Sequence, residues 1–292
     1  MSERRVTFVD LIRAELPGIF AFLDRAPWPA IAPASLPFAV LAAFGAGLFV
    51  DAALRVPLGL VFQALGLPVG LARFVFQLVT LLATAAAAAV AWRSGGGDAA
   101  RVYVAILAIE RVLGLPALLR FCAVVQQEFS CGPLAYVLGL WPLLLGLALS
   151  VPVRRRLRIV AGDRNPLLEA GGAFVLANDA VVRSYGALAG QATGSEGGLA
   201  ALLGAVAGGI VCGIVIARRA PRHWRTLGLV ALAVLGQWVV TSLFPFFAAA
   251  ADTRTLTFRD PAIVFALAAP AFGVAAAVVI LYMAAARQVR DV

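Results

Sequence analysis

Runs of about twenty apolar residues recur along the chain, divided by short turns that carry arginine, and no other feature of the sequence limits the fold so tightly. A helix needs roughly that length to cross the hydrocarbon core of a bilayer, where every backbone N–H and C=O must be bonded within the segment. Eight segments qualify: residues 35–54, 70–92, 102–125, 134–153, 167–190, 198–217, 227–250 and 262–286. The fifth is the most polar. The pattern predicts an all-α, polytopic transmembrane helix bundle of about eight spans. Residues 1–34 form a cytoplasmic N-terminal segment, and 35–292 form a single transmembrane domain. Composition points the same way, with 62% hydrophobic and 13% charged residues, against about 45–50% and about 25% in soluble domains.

Orientation follows from charge. All 24 basic residues are arginine, and short cytoplasmic loops are enriched in such residues. With the N-terminus inside, the inner segments hold Arg4, Arg5, Arg13 and Arg25, then Arg93 and Arg101, then Arg154, Arg155, Arg156, Arg158 and Arg164. Arg218, Arg219, Arg222, Arg225, Arg287 and Arg290 follow, against Arg55, Arg73, Arg254 and Arg259 on the outer side. Without the fifth span, the clusters at 154–158 and 218–225 would fall on opposite sides. The expectation is a bacterial-type cytoplasmic (inner) membrane protein with both termini in the cytoplasm. Its first span acts as an uncleaved anchor, since about thirty mixed residues precede it and no A-x-A site is in place.

Within 6–24, Val6, Val9, Ile12, Leu16 and Phe20 recur at helical spacing, which predicts an N-terminal interfacial amphipathic helix. Pro27-Trp28-Pro29 ends it near the headgroups. Residues 57–69 are too short to cross and are expected at the outer interface or as a re-entrant segment.

Several chemistries are excluded. The absence of lysine rules out Schiff-base catalysis. Cys122, Cys131 and Cys212 form no CxxC pair, and a single histidine, His223, cannot build a multi-histidine metal site. No cofactor and no metal are expected. The net charge of +9 is explained by loop arginines rather than a nucleic-acid partner. The clusters at 154–158 and 218–225 suit anionic lipid headgroups.

Ionisable groups inside a bilayer cost several kcal/mol unless paired. In the third span, Glu110 and Arg111 stand about nine residues, or about 13 Å, from the inner end, with Arg120 further on. In the fifth, Asn178, Asp179 and Arg183 lie at similar depth, and Asp179 and Arg183 share a helix face. Gln237 in the seventh is again near mid-depth. Two readings stand side by side. In one, these residues form a polar site where arginine holds an anionic group of a small solute or a carboxylate takes up a proton. In the other, they form an interhelical network that fixes packing. Gly114, Pro116, Pro142, Pro245 and Pro270 mark kinks of the kind transporters use at midplane sites. Gly204-x-x-x-Gly208 and Gly209-x-x-x-Gly213 permit close helix contact, read as packing within the chain.

Cys131-Gly132, at the outer mouth of the fourth span, and 177–183 (ANDAVVR) loosely resemble elements of the exosortases, membrane cysteine transpeptidases. The chain departs from that pattern in the glycine directly after the cysteine, the lack of a periplasmic histidine, and the three spans that follow Arg183. Walker A, HExxH, GxSxG and paired-aspartate motifs are absent. The leading expectation is a permease or transporter-like protein rather than an enzyme. A non-transporting subunit that anchors or assembles a larger complex with a membrane-protein partner comes second, and a cysteine transpeptidase third.

Overall fold

The computed structural model describes residues 30–66, 69–125, 133–159, 165–189, 195–220, 222–243 and 261–290. The N-terminal helix expected over 6–24 lies outside them, as do Cys131, Pro245 and the stretch from 244 to 260. Seven α-helices carry the described fold: α1 Leu36–Ala64, α2 Val69–Val125, α3 Pro133–Arg156, α4 Pro166–Ala189, α5 Ser195–Arg219, α6 His223–Trp238 and α7 Pro261–Arg290. A π-helical turn, Val239–Leu243, extends α6. A two-residue parallel pairing of β1 (Ala30–Ile31) with β2 (Arg158–Ile159) closes one end.

Five stretches are long and apolar enough to cross a membrane: Leu36–Ala64, Phe74–Val112, Gly198–Arg219, His223–Leu243 and Ile263–Ala286. The chain is an integral membrane protein. Its packing has the inverted size order that lipid permits. Small residues fill the interior, with Ala39, Ala43, Ala87, Ala89 and Ala91 at 5% exposure or less. Large apolar side chains such as Phe74, Leu82, Leu144, Leu232 and Phe272 point outward. Hydrocarbon gives large side chains no reason to hide, whereas small ones let helix backbones approach.

Three departures from the expected spans are informative. First, α1 does not stop at 54 but continues through Pro57 to Ala64, so most of 57–69 is part of the helix rather than a separate surface segment. A proline inside a helix removes one backbone hydrogen bond, here the one to Ala53, without ending the helix when neighbouring elements pack against it. Second, α2 is one named helix but two arms. Gly96, with φ 73 and ψ −164, reverses the chain in a conformation that only glycine adopts readily. Both arms then run along α1, where Gly47 faces Ala87 on the first arm and the Phe44 ring meets Tyr103 on the second at 5.0 Å. Third, the polar fifth segment begins one residue earlier than expected, as α4 from Pro166 to Ala189.

The α1–α4 crossing is the tightest in the bundle. A Cβ on Gly172 would overlap the Leu41 carbonyl, and one on Gly45 would overlap that of Leu168. On α5, Gly204 and Gly208 face α4 while Gly209 and Gly213 face α7, so both glycine pairs serve contacts inside the chain.

Arginine-bearing turns gather at one end. Arg93 donates to the Leu157 carbonyl at 2.7 and 3.1 Å, and Ala34 N–H donates to Ser94 O at 2.9 Å. The Arg154 guanidinium lies 4.1 Å from the Trp92 ring centre. At the same end Arg219 pairs with Glu169 at 3.4 Å and stacks 3.4 Å from the Phe38 ring centre. The turns that carry Arg93, Arg154, Arg155, Arg156, Arg158, Arg218 and Arg219 therefore share one face of the bundle.

Candidate functional site

Four polar residues stand at one level above that end. Asp51 is fifteen residues past Leu36, Glu110 fourteen past Gly96, Asp179 thirteen past Pro166 and Gln237 fourteen past His223. At 1.5 Å per residue each lies about 20 Å along its helix. The side chains resolve into two constellations.

The first joins α2 and α4. Arg183 donates to the Glu110 backbone carbonyl at 3.2 Å, and its guanidinium lies 3.9 Å from both the Glu110 and the Asp179 carboxylates. Asn178 donates to Asp179 at 3.0 Å. One guanidinium thus stands between two carboxylates without closing a tight fork on either. Arg111 follows Glu110 and is partly buried. Arg120 is on α2 too, its side chain outside the described residues.

The second joins α1, α2 and α6. Arg55 grips Asp51 at 2.8 and 2.9 Å in a two-bond fork, reaches Thr80 at 3.3 Å and lies 5.1 Å from the Phe76 ring centre. Gln237 donates its amide N–H to Asp51 Oδ2, the oxygen that also accepts from Arg55 Nε. Sequence reasoning brought Gln237 to Glu110 and Asp179, whereas its direct partner is Asp51. Asp51 and Arg55 were missed because the first span was drawn to end at 54, which left Arg55 outside. The signal was there: an acid four residues before an arginine, at helical pairing distance, in an apolar run.

Between the two constellations is a cavity of about 430 Å³. Asn178 and Asp179 contribute from α4, Gln237 and Trp238 from α6, Thr241 and Ser242 from the π-helical turn. Apolar walls come from Leu48, Phe174, Val234 and Leu267, and from the Pro270 region of α7. Its size falls in the usual range of small-molecule sites, about 300–1,000 Å³, as does its mix of apolar lining with few polar groups. The π turn inserts one residue into the helical register, a device found often at functional sites. Of the residues singled out in the sequence, Asn178, Asp179 and Gln237 line the cavity, while Glu110 and Arg183 stand behind Asp179.

A second, smaller cavity of about 270 Å³ lies at the arginine end between the starts of α1 and α4. Ser35, Asn165, Glu169 and Arg219 line it, with Glu169 only 2% exposed. Below the main cavity, toward this end, Phe174, Cys212, Ile216, Leu227 and Leu281 form a dry apolar cluster. Glu169 and Arg219 cap it and join α4 to α5.

Comparison with protein families, with curated proteins and with solved structures yields no match to this chain. The reading of function therefore rests on the site.

Proposed function

We propose that the protein is a permease-like membrane protein that takes a small solute into the cavity between Asp179 and Gln237. The observation that carries this reading is the cavity itself. Asn178, Asp179, Gln237, Thr241 and Ser242 border open volume, which a close-packed bundle would not leave between its polar side chains. Helices that begin in the headgroup region reach the middle of a bilayer about 40–45 Å thick after about 20 Å, the level of those residues. Pro270 removes a backbone hydrogen bond within α7 and the π turn shifts the register at the end of α6, both beside the cavity, where transporters use broken or kinked helices at midplane sites.

The proposal includes eight spans, with α2 counted as two, both termini in the cytoplasm of a bacterial-type cell, and the arginine end facing inward. The gathering of arginine-bearing turns at one end supports that orientation. Anionic headgroups are the proposed lipid partners of the 154–158 and 218–225 clusters. Topology is tested by single cysteines in a variant freed of its native thiols. Cysteines at positions 195 and 252 should react with an impermeant reagent from the periplasm, and one at 163 should not. The reverse pattern overturns the orientation. Solute movement is tested by counterflow in proteoliposomes: saturable exchange supports the reading, and none for any small solute tried counts against it.

A second reading, a non-transporting subunit that holds a larger complex together, draws on the placement of Glu110 and Arg183 behind the cavity wall, where they link α2 to α4. On that reading the purified chain would be unstable without a membrane-protein partner.

A further inference from the structure

We infer that the cavity is built for a small organic cation with hydrogen-bond donors, such as a protonated amine, and not for an anion. The inference rests on the reading of the cavity as a solute site and names the class of solute.

The first ground is charge. Among the described residues that line the cavity, Asp179 is the one with an ionisable side chain, and it is a carboxylic acid. None of the arginines at this level, Arg55, Arg111 or Arg183, is among the residues that line the cavity. Arg183 spans Glu110 and Asp179 from behind, and Arg55 is closed in a two-bond fork on Asp51. An anion entering the cavity would meet the Asp179 carboxylate, whose neighbouring guanidinium, Arg183 at 3.9 Å, is not among the residues that line the cavity. In a low-dielectric site that repulsion is strong.

The second ground is hydrogen-bond polarity, and it is independent of charge. The amide N–H of Gln237 is directed to Asp51, that of Asn178 to Asp179, and the Thr241 hydroxyl to the Gln237 carbonyl at 2.8 Å. The two amide orientations follow, because a carboxylate only accepts and of the two ends of an amide only the nitrogen donates. Each of these three lining residues has thus committed one donor to the protein and keeps an acceptor oxygen, while Asn178 and Gln237 each retain a second amide N–H. The retained acceptors suit a ligand that donates, and an ammonium brings three donors and no acceptor.

The third ground is the wall. The Trp238 indole lines the same cavity, and a cation over such a ring within about 6 Å gains about 0.5–2 kcal/mol. Leu48, Phe174 and Leu267 leave an apolar surface for a hydrocarbon body. At about 30 Å³ for each water, 430 Å³ is room for a ligand displacing roughly fourteen waters.

The test uses the full chain, purified in detergent, with n-butylammonium chloride, n-butanol and sodium butyrate at matched ionic strength. Affinity is read by titration calorimetry and by the shift in melting temperature. n-Butylammonium should bind and raise the melting temperature, and butanol and butyrate should not. Asp179→Asn should weaken n-butylammonium about tenfold or more, the worth of a charge-assisted hydrogen bond. Trp238→Leu leaves every ion pair in place and should weaken it about threefold or more. Stronger binding of butyrate or butanol, no binding of n-butylammonium, or unchanged affinity in folded Trp238→Leu overturns the inference. Proteoliposomes separate it from the permease reading. Binding of labelled n-butylammonium without uptake removes the permease and leaves the cation site. Saturable uptake of butyrate or butanol in place of the amine does the reverse.

Discussion

Asp51–Arg55 and Asp179–Arg183 are the same sequence device, an aspartate four residues before an arginine on a membrane helix, and they come to different geometries. On α1 the pair closes at 2.8 Å, both side chains below 20% exposed, and the remaining carboxylate valence goes to Gln237. On α4 the pair stands 3.9 Å apart at about 30% exposure, and the arginine is shared with Glu110. A carboxylate held in a fork has no interaction left to offer. One held loosely, at the wall of a cavity, still does. Spacing alone therefore cannot separate a staple from a binding group; the number of partners competing for each guanidinium can.

The largest effect should come from Arg183→Ala, which takes the shared cation from two carboxylates. Loss of about 3 kcal/mol or more is expected, as for a buried pair stripped of one partner, seen as a large fall in melting temperature or failure to accumulate in the membrane. Arg55→Met should cost less, about 2 kcal/mol, because Gln237 still bonds Asp51. If Arg55→Met proves the more damaging, the assignment of roles is reversed. Next come the paired substitutions Asp179→Asn and Asp51→Asn. Asp179→Asn should weaken solute binding about tenfold or more with a small change in melting temperature, whereas Asp51→Asn should lower the melting temperature and spare most of the binding. Equal behaviour of the two would erase the distinction. Smallest is Arg101→Ala, which breaks the Asp98–Arg101 pair at 85% and 81% exposure. Such a pair contributes little, and no measurable shift in melting temperature is expected.

Much of the helical architecture was legible, and for a physical reason. Lipid enforces helices wherever about twenty apolar residues run together, so every expected span overlaps a helix and the triplet Gly95-Gly96-Gly97 marks the reversal in α2. The extent of α1 was not legible, because Pro57 looks like a stop and packing overrides it. Glu110, Asp179 and Arg183 stood out as charges in apolar surroundings and do meet. Glu169 did not stand out: it sits in the first turn of α4, and only the fold reveals its pairing with Arg219. The cavity was beyond reach of the sequence. Whether Trp238, Thr241 and Ser242 face the same space depends on the added residue of the π turn, a phase shift that periodicity does not encode. Arg120 and Cys131, singled out in the sequence, fall outside the described side chains.

The most direct test of a solute site at mid-depth is the reactivity of a cysteine placed at Ser242, in a variant freed of its native thiols, toward an impermeant, charged thiol reagent in intact membranes. A cavity that admits solute from the aqueous phase should let the reagent react, and n-butylammonium should slow that reaction while butyrate does not. A thiol at 242 that stays unreactive from both sides of the membrane, in a protein shown to be folded, would mean that the space between Asp179 and Gln237 is closed, and the polar residues around it would then be structural.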